Sequence, residues 1–446
     1  MNVKLNIICY LLSTLLFTAC LPDTVGQDPP PDQLIYPLGL TITAEDKYLL
    51  VANSNFDLKY NAGTLTTISL NNLQNVIDSG GDKKWESIDG KVMYVPESEL
   101  IEPENTIRLD AIAADLELTP KKNRALVPIR GSSERHILIV DVDESAKNGR
   151  VLNCGQGKDL SCDSAHKVTS NEQVTMPIEP YEVTAVDYSR TVVDDNNQEI
   201  TVSNTIGFAT HLFSGSVSAF LIDNSQGDLD ATLLGVADNV VNETSGIASN
   251  PVNGEVYVSG RENPDSFVAV MQVLAGGAGG TYTNKPYFGV TDKITLGRDL
   301  LGGTDARGIA VSSDGTKALV VTRTPEALIR VDTKSRRMVD MTTLGTGPTV
   351  VGLFEDEAKT YAFVLCYESN QVFIIDPDTM VSVVRTTGSG PQAIVFDKTR
   401  KLAYIANFRE STISVIQAIP PFDHVRVGED QAKLMIGTPR LPEGHN

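Results

Sequence analysis

The chain of 446 residues predicts an all-β fold, a seven-bladed β-propeller of four-stranded antiparallel blades, on three observations. One supersecondary unit of three short strands, here a, b and c, recurs seven times. Each strand runs 5–8 residues, is rich in β-branched side chains and is bounded by Gly, Asn, Asp or Pro, as strands between tight turns require. A fourth strand, d, precedes the next strand a in most units. Four antiparallel strands repeating roughly every 40–50 residues describe a propeller blade. Solenoid strands would run parallel and would need no tight a–b hairpins.

The seventh unit is the clearest: after Gly390-Pro391-Gln392 come QAIVFD, the turn KTRK, LAYIANF, a polar turn and TISVIQ. The order repeats at 349–376 and at 307–332, the latter with an Asp314-Gly315 hairpin turn. Looser copies lie at 245–273, 181–223, 113–142 and 38–70. The strand b anchors Ala52, Val127, Ala209, Val258, Val321, Leu365 and Ala406 are spaced by 41 to 82 residues. Strand d is read at 105–109, 173–178, 231–236, 293–297, 340–345 and 382–388. The ring then needs a last strand d, supplied either by KLMIG (433–437) or by QLIYP (33–37), with the C-terminal segment favoured. Either closure removes an open edge.

YIANFRESTISVI (404–416) and the turns GSGP (388–391) and GTGP (345–348) resemble the YVTN-repeat propellers, relatives of the lactonase-like seven-bladed group. The resemblance spans about residues 36–418 and is sharpest in the last three units. It implies the fold and, by analogy only, a lactonase-like activity, since a fold does not carry function by itself.

Insertions interrupt the repeats. Residues 74–104 carry Trp85 and the acidic run PESELIEPE, 143–172 carry two cysteines, and 274–290 are Gly-rich. A hairpin at 190–202 lengthens the third a–b connection. Connections this long are often functional.

The N-terminus reads as an address. Lys4 precedes an apolar run of 13 residues, Leu5 to Phe17, too short to span a bilayer but suited to a secretory signal. Leu16-Phe17-Thr18-Ala19-Cys20 resembles the lipobox of bacterial lipoproteins, with Phe17 where that family usually has Leu. The resemblance implies a signal peptide over 1–19, acylation (diacylglyceryl and palmitate-type chains) of Cys20, and attachment to the cell envelope. Leu21 rather than Asp after the cysteine implies outer-membrane sorting. Residues 20–32 would be the acylated Cys and a Pro-rich tether, with the propeller over 33–446. Export fits the remaining cysteines: Cys154 and Cys162 in NCGQGKDLSCDSAH are expected to form a disulfide rather than a metal site, which would lack a fourth ligand beside His166. Cys366 reads as a buried apolar residue.

The formal charge of −20 excludes a basic nucleic-acid-binding surface. DVDESAKNG (141–149) lacks the glycine and terminal glutamate of a Ca²⁺ loop; no metal or other cofactor is expected. Residues just after strand b form a candidate ring: Asn55, Arg130, His211, Arg261, Arg323, Tyr367 and Arg409. Four arginines at one level would attract an anionic ligand, unless neighbouring acids such as Glu262, Glu326, Glu368 and Glu410 neutralise them. His211 with Asp305 and Arg307 forms the one candidate acid–base set. The expectation is a non-catalytic binding or scaffold module for a protein or anionic glycan partner, with a lactonase-like hydrolase as the alternative.

Overall fold

The computed structural model describes residues 26–440, apart from 82–86, 89–90, 133, 147–148, 158, 194–198, 224–228, 262–266, 275–286, 297–303 and 358. Cys20 and Trp85 therefore lie outside the described residues. Seven sheets follow one another in chain order, each built on antiparallel strands a to d. In blade one, Pro37–Ile42, Tyr48–Asn53, Gly63–Ser69 and Ile107–Leu109 are strands a to d. In blade five they are Ala306–Val311, Lys317–Arg323, Glu326–Asp332 and Arg337–Thr343. The long hairpin of blade three pairs Arg190 with Val202 and Val193 with Glu199, as its sequence leads one to expect.

Alternation along each strand gives a sheet two apolar faces, and each face packs on a neighbouring blade. Seven apolar clusters result, one at each interface between consecutive blades. The cluster holding Leu40, Leu49, Tyr404 and Val415 joins blade seven to blade one and closes the ring. All seven strand b anchors are fully buried. Nearest the axis the inner strands crowd together. A Cβ on Gly246 would lie 2.2 Å from the Arg307 carbonyl, and one on Gly308 would lie 2.7 Å from that of Thr349. Only glycine permits that approach.

The C-terminal segment completes blade seven: Ala432–Ile436 pairs with Thr412–Gln417. QLIYP is not a strand d; only its last residue, Pro37, enters strand a of blade one. The 74–104 insertion adds a feature absent from the sequence reading. After the helix Leu70–Ser79, capped by Ser69 and ended by left-handed Gly80, Val92–Val95 pairs in parallel with Ala432–Ile436. This covers the outer edge of blade seven. Buried Glu97 then accepts bonds from the Thr438 amide at 2.8 Å and from Arg440, while Arg440 donates to the Leu34 carbonyl at 2.7 Å. Insertion and chain ends are stitched together there.

Blade two departs from expectation. Residues 173–178 are not a strand d: Asn171 closes a turn on Val174, and Pro177 has no N–H to offer a ladder. The outer edge is filled by Leu152–Asn153 and Lys167–Val168, both paired with His136–Val142. The Cys154–Cys162 disulfide lies between them, and Cys366 is a buried free thiol. Within the Pro-rich segment, Asn61 bonds the Gly26 carbonyl at 2.8 Å, Asp28 pairs with Arg108, and Thr106 donates to the Pro31 carbonyl, so residues 26–31 run along blade one. Among the described residues no helix is long and apolar enough to cross a membrane.

Candidate functional site

The loops after strand b and before strand a share one face, and a sevenfold hydrogen bond sets their register. The amides of Ser54, Arg130, Leu212, Arg261, Arg323, Tyr367 and Phe408 donate to the carbonyls of Tyr36, Ile112, Glu179, Glu243, Asp305, Gly347 and Gly390 in turn. Six of these acceptor residues, all but Asp305, have left-handed φ. That explains GTGP and GSGP: glycine adopts the left-handed conformation at no steric cost, and the following proline begins strand a. The register also corrects the candidate ring. Arg130, Arg261, Arg323 and Tyr367 are structural equivalents, whereas Asn55 and Arg409 lie one residue later and His211 one earlier.

The arginines on this face are engaged. Arg130 bonds Glu179 of the next blade at 2.6 Å and lies over the Tyr181 ring. Arg261 pairs with Glu243 at 3.2 Å and lies over Phe213. Arg323 donates to the Pro348 carbonyl, and Arg409 bonds Glu368 at 2.9 Å while stacking on Tyr367. Of the acids named from sequence only Glu368 is such a partner; Glu262 lies outside the described residues, and Glu179 and Glu243 come from the loops before strand a. Asn55 closes its own loop through both amide atoms with Tyr60. His211 is fully buried, its Nδ1 at the Ile178 carbonyl and its Nε2 at the Ser218 hydroxyl. Burial pushes its pKa down to about 4, so it is neutral at pH 7. Asp305 is held in a two-pronged pair by Arg307. The structure thus engages His211 and Asp305 with different partners rather than with each other.

Between the arginines stand aromatic and aliphatic side chains. Phe56 is 51% exposed, Leu58 60% and Phe213 55%. Phe408 contacts Tyr36, Phe56 and Tyr367. The face therefore presents a collar of aromatic rings with guanidinium groups fixed on them.

Along the axis runs a cavity of about 670 Å³ lined by the seven strands a. Its charged lining is mainly acidic, with Asp115, Glu117, Glu182 and Glu355 against Lys122 and Lys398. Asp115 accepts from the Val183 amide at 3.1 Å and Glu182 from the Ile247 amide at 3.2 Å, each closing the free edge of the next blade. Burial raises Asp115 to about 6, and burial with repulsion from Asp115 raises Glu117 to about 8 and Glu182 well above the carboxylate range. Glu117 lines this lumen and its side chain is solvent-accessible there. Sequence reasoning passed over these acids, although AADLEL alternates charged and apolar residues in a strand a.

No family model and no curated protein matches the chain. Among solved structures it is similar to hydrazine synthase of Kuenenia stuttgartiensis, with a TM-score of 0.53 and 11% identity over 89% of this chain and 98% of that one. It is also similar to the Cps50 (Swd1) β-propeller domain of Myceliophteria thermophila, with a TM-score of 0.51 and 9% identity over 86% and 97%. At these identities the likeness is one of fold, and the class it defines is the seven-bladed β-propeller. That class suits a binding or scaffold module, with loops carried on a rigid disc.

Proposed function

We propose that the protein is a lipid-anchored propeller of the bacterial envelope, held by acylated Cys20 and acting as a non-catalytic module that binds a protein or anionic glycan partner. The observation that carries this reading is the collar, where Phe56, Leu58 and Phe213 stand exposed beside arginines stacked on aromatic rings. Aromatic and arginine side chains dominate interface energetics, and aromatic faces also suit sugar rings. Gly26 is bonded to the b–c loop of blade one, so six residues, at most about 20 Å of extended chain, connect Cys20 to the same face. The partner would then be met at the membrane surface. The hydrolase alternative has less support, because His211 is neutral, buried and committed to structural bonds.

The test is capture of envelope components by the acylated protein and by a Phe56→Ser/Phe213→Ser variant. The expected result is loss of capture by the variant with unchanged folding; equal capture by both would overturn the collar as the site. Substituting Arg130, Arg261 and Arg323 should weaken an anionic glycan most at low salt and a protein partner less steeply. Separately, Cys20→Ser should release the protein from the membrane fraction, and an unacylated mature N-terminus by mass spectrometry would remove the anchor.

A further inference from the structure

The large apolar side chains left exposed on the collar face fall into two groups. Ile178 and Phe213 belong to the loops of blade three, and Phe56 and Leu58 share the b–c loop of blade one. That second loop is fixed from within. Asn55 clamps it through both amide atoms to Tyr60, and the Leu58 amide donates to the Asn55 carbonyl at 3.0 Å. Phe56 is propped against Phe408, with ring centroids 5.4 Å apart. Leu58 has a left-handed φ of 54°, a conformation that suits Asn or Gly and that a bulky side chain rarely adopts. An exposed leucine held this way costs the fold both solvation and backbone energy, and so points to a contact outside the chain.

The same loop holds the end of the tether. The Asn61 amide donates to the Gln27 carbonyl at 3.0 Å, and its side-chain nitrogen donates to the Gly26 carbonyl at 2.8 Å and to Asp28 at 2.9 Å. Gln27 also bridges Tyr60 in parallel. A Cβ on Gly26 would lie 2.8 Å from that of Asn61, so glycine is what lets the two segments touch. With Cys20 in the lipid, the short tether keeps Phe56 and Leu58 within roughly 20 Å of the headgroups. Two apolar side chains bind a bilayer weakly by themselves, but a tether this short makes the encounter intramolecular. The charges beside them suit a shallow seat: Asp57 accepts from the Lys59 amide at 3.2 Å, and both exposed side chains can stay among polar headgroups while the apolar pair goes deeper.

We propose that the b–c loop of blade one is a membrane foot: Phe56 and Leu58 seat in the interfacial layer of the bilayer that holds Cys20, and the disc stands tilted on blade one. This rests on the anchor in the reading above. It gives blade one's part of the collar to lipid and leaves Phe213, two blades away, with the Arg261 over it, for the partner.

The test uses the mature chain held in phosphatidylcholine vesicles through its own acyl chains. Should mass spectrometry find Cys20 unacylated, that thiol is coupled to a maleimide-bearing lipid in the same vesicles, so failure of the anchor and failure of the foot are separate results. In a Trp85→Phe background, Leu58→Trp reports on the loop and Phe213→Trp on blade three. With phosphatidylcholine brominated near the glycerol end of its acyl chains, the Leu58→Trp emission should shift to the blue and lose a large share of its intensity, while Phe213→Trp stays unquenched. Gly26→Val, which pries the tether from the loop, should reduce that quenching. Attached protein with no quenching at Leu58→Trp overturns the foot, and equal quenching at both positions overturns the tilt. The wild-type chain gives an answer whether or not a variant folds: hydrogen exchange across residues 56–60 should slow on attachment to protein-free vesicles. Unchanged exchange there, or slowing only in native envelopes where a protein partner is present, overturns lipid as the occupant.

Discussion

Tyr404 is fully buried between blades seven and one, and its hydroxyl has no hydrogen-bond partner. Its ring supplies packing while its oxygen carries a desolvation cost. Tyr404→Phe keeps the ring and removes the cost. The variant should be at least as stable as the parent, by up to about 1 kcal/mol in urea unfolding; a clear loss would mean that the hydroxyl is satisfied after all. Glu117 makes a prediction of opposite origin. Its pKa is raised in the folded chain to about 8, so the folded state binds more protons than the unfolded state between about 4.5 and 8. Stability from this group is therefore fully present below about pH 4.5 and is lost as pH rises through about 8. Thermal midpoints of wild type should fall more steeply between pH 5 and pH 8 than those of Glu117→Gln, and parallel curves would refute the assignment.

At the scale of elements, the closure of blade seven separates the two chain ends. Leu434 and Ile436 are fully buried in the ring-closing core, and Ala432–Ile436 is the partner of both Thr412–Gln417 and Val92–Val95. Truncation after Gln417 should expose two strand edges and give an aggregating protein. Removal of residues 1–32 breaks the exposed Arg108–Asp28 pair and a few loop bonds, and should cost only about 1–2 kcal/mol. Comparable damage from both truncations in a solubility and melting assay would show that the N-terminal segment also closes the ring. The strands were readable wherever one element did one job: Ala52, Val258 and Leu365 each sit in a short β-branched run, and all are buried. The outer edge of blade two was unreadable because it is made of two-residue pieces held by turns. The parallel strand Val92–Val95 pairs with residues some 340 positions away, a partnership without local pattern. The candidate ring slipped by one residue at Asn55, His211 and Arg409, because the common level is set by amide-to-carbonyl bonds to the loop before strand a, which leave no mark in the local sequence. The lumen acids became visible once burial and neighbours were known.

For the whole molecule, cyclic order of the seven cores has a mechanical consequence. In an open array the terminal units have one neighbour and can fray alone. Here the cluster of Leu40, Leu49 and Tyr404 gives blade one and blade seven their second neighbour, so no blade is terminal and every interface is needed for the rigid disc on which the collar depends. Leu49→Ala removes buried methyl groups from that closing interface and should cost about 2–5 kcal/mol. In a cooperative ring the loss is shared. Hydrogen exchange should then speed up not only in Tyr48–Asn53 but also across the disc, at the buried amides of Phe208 and Val258, and calorimetry should keep a single transition at lower temperature. Faster exchange confined to blades one and seven, or a second transition, would show that the propeller opens as a chain of separable units and that its face is not rigid.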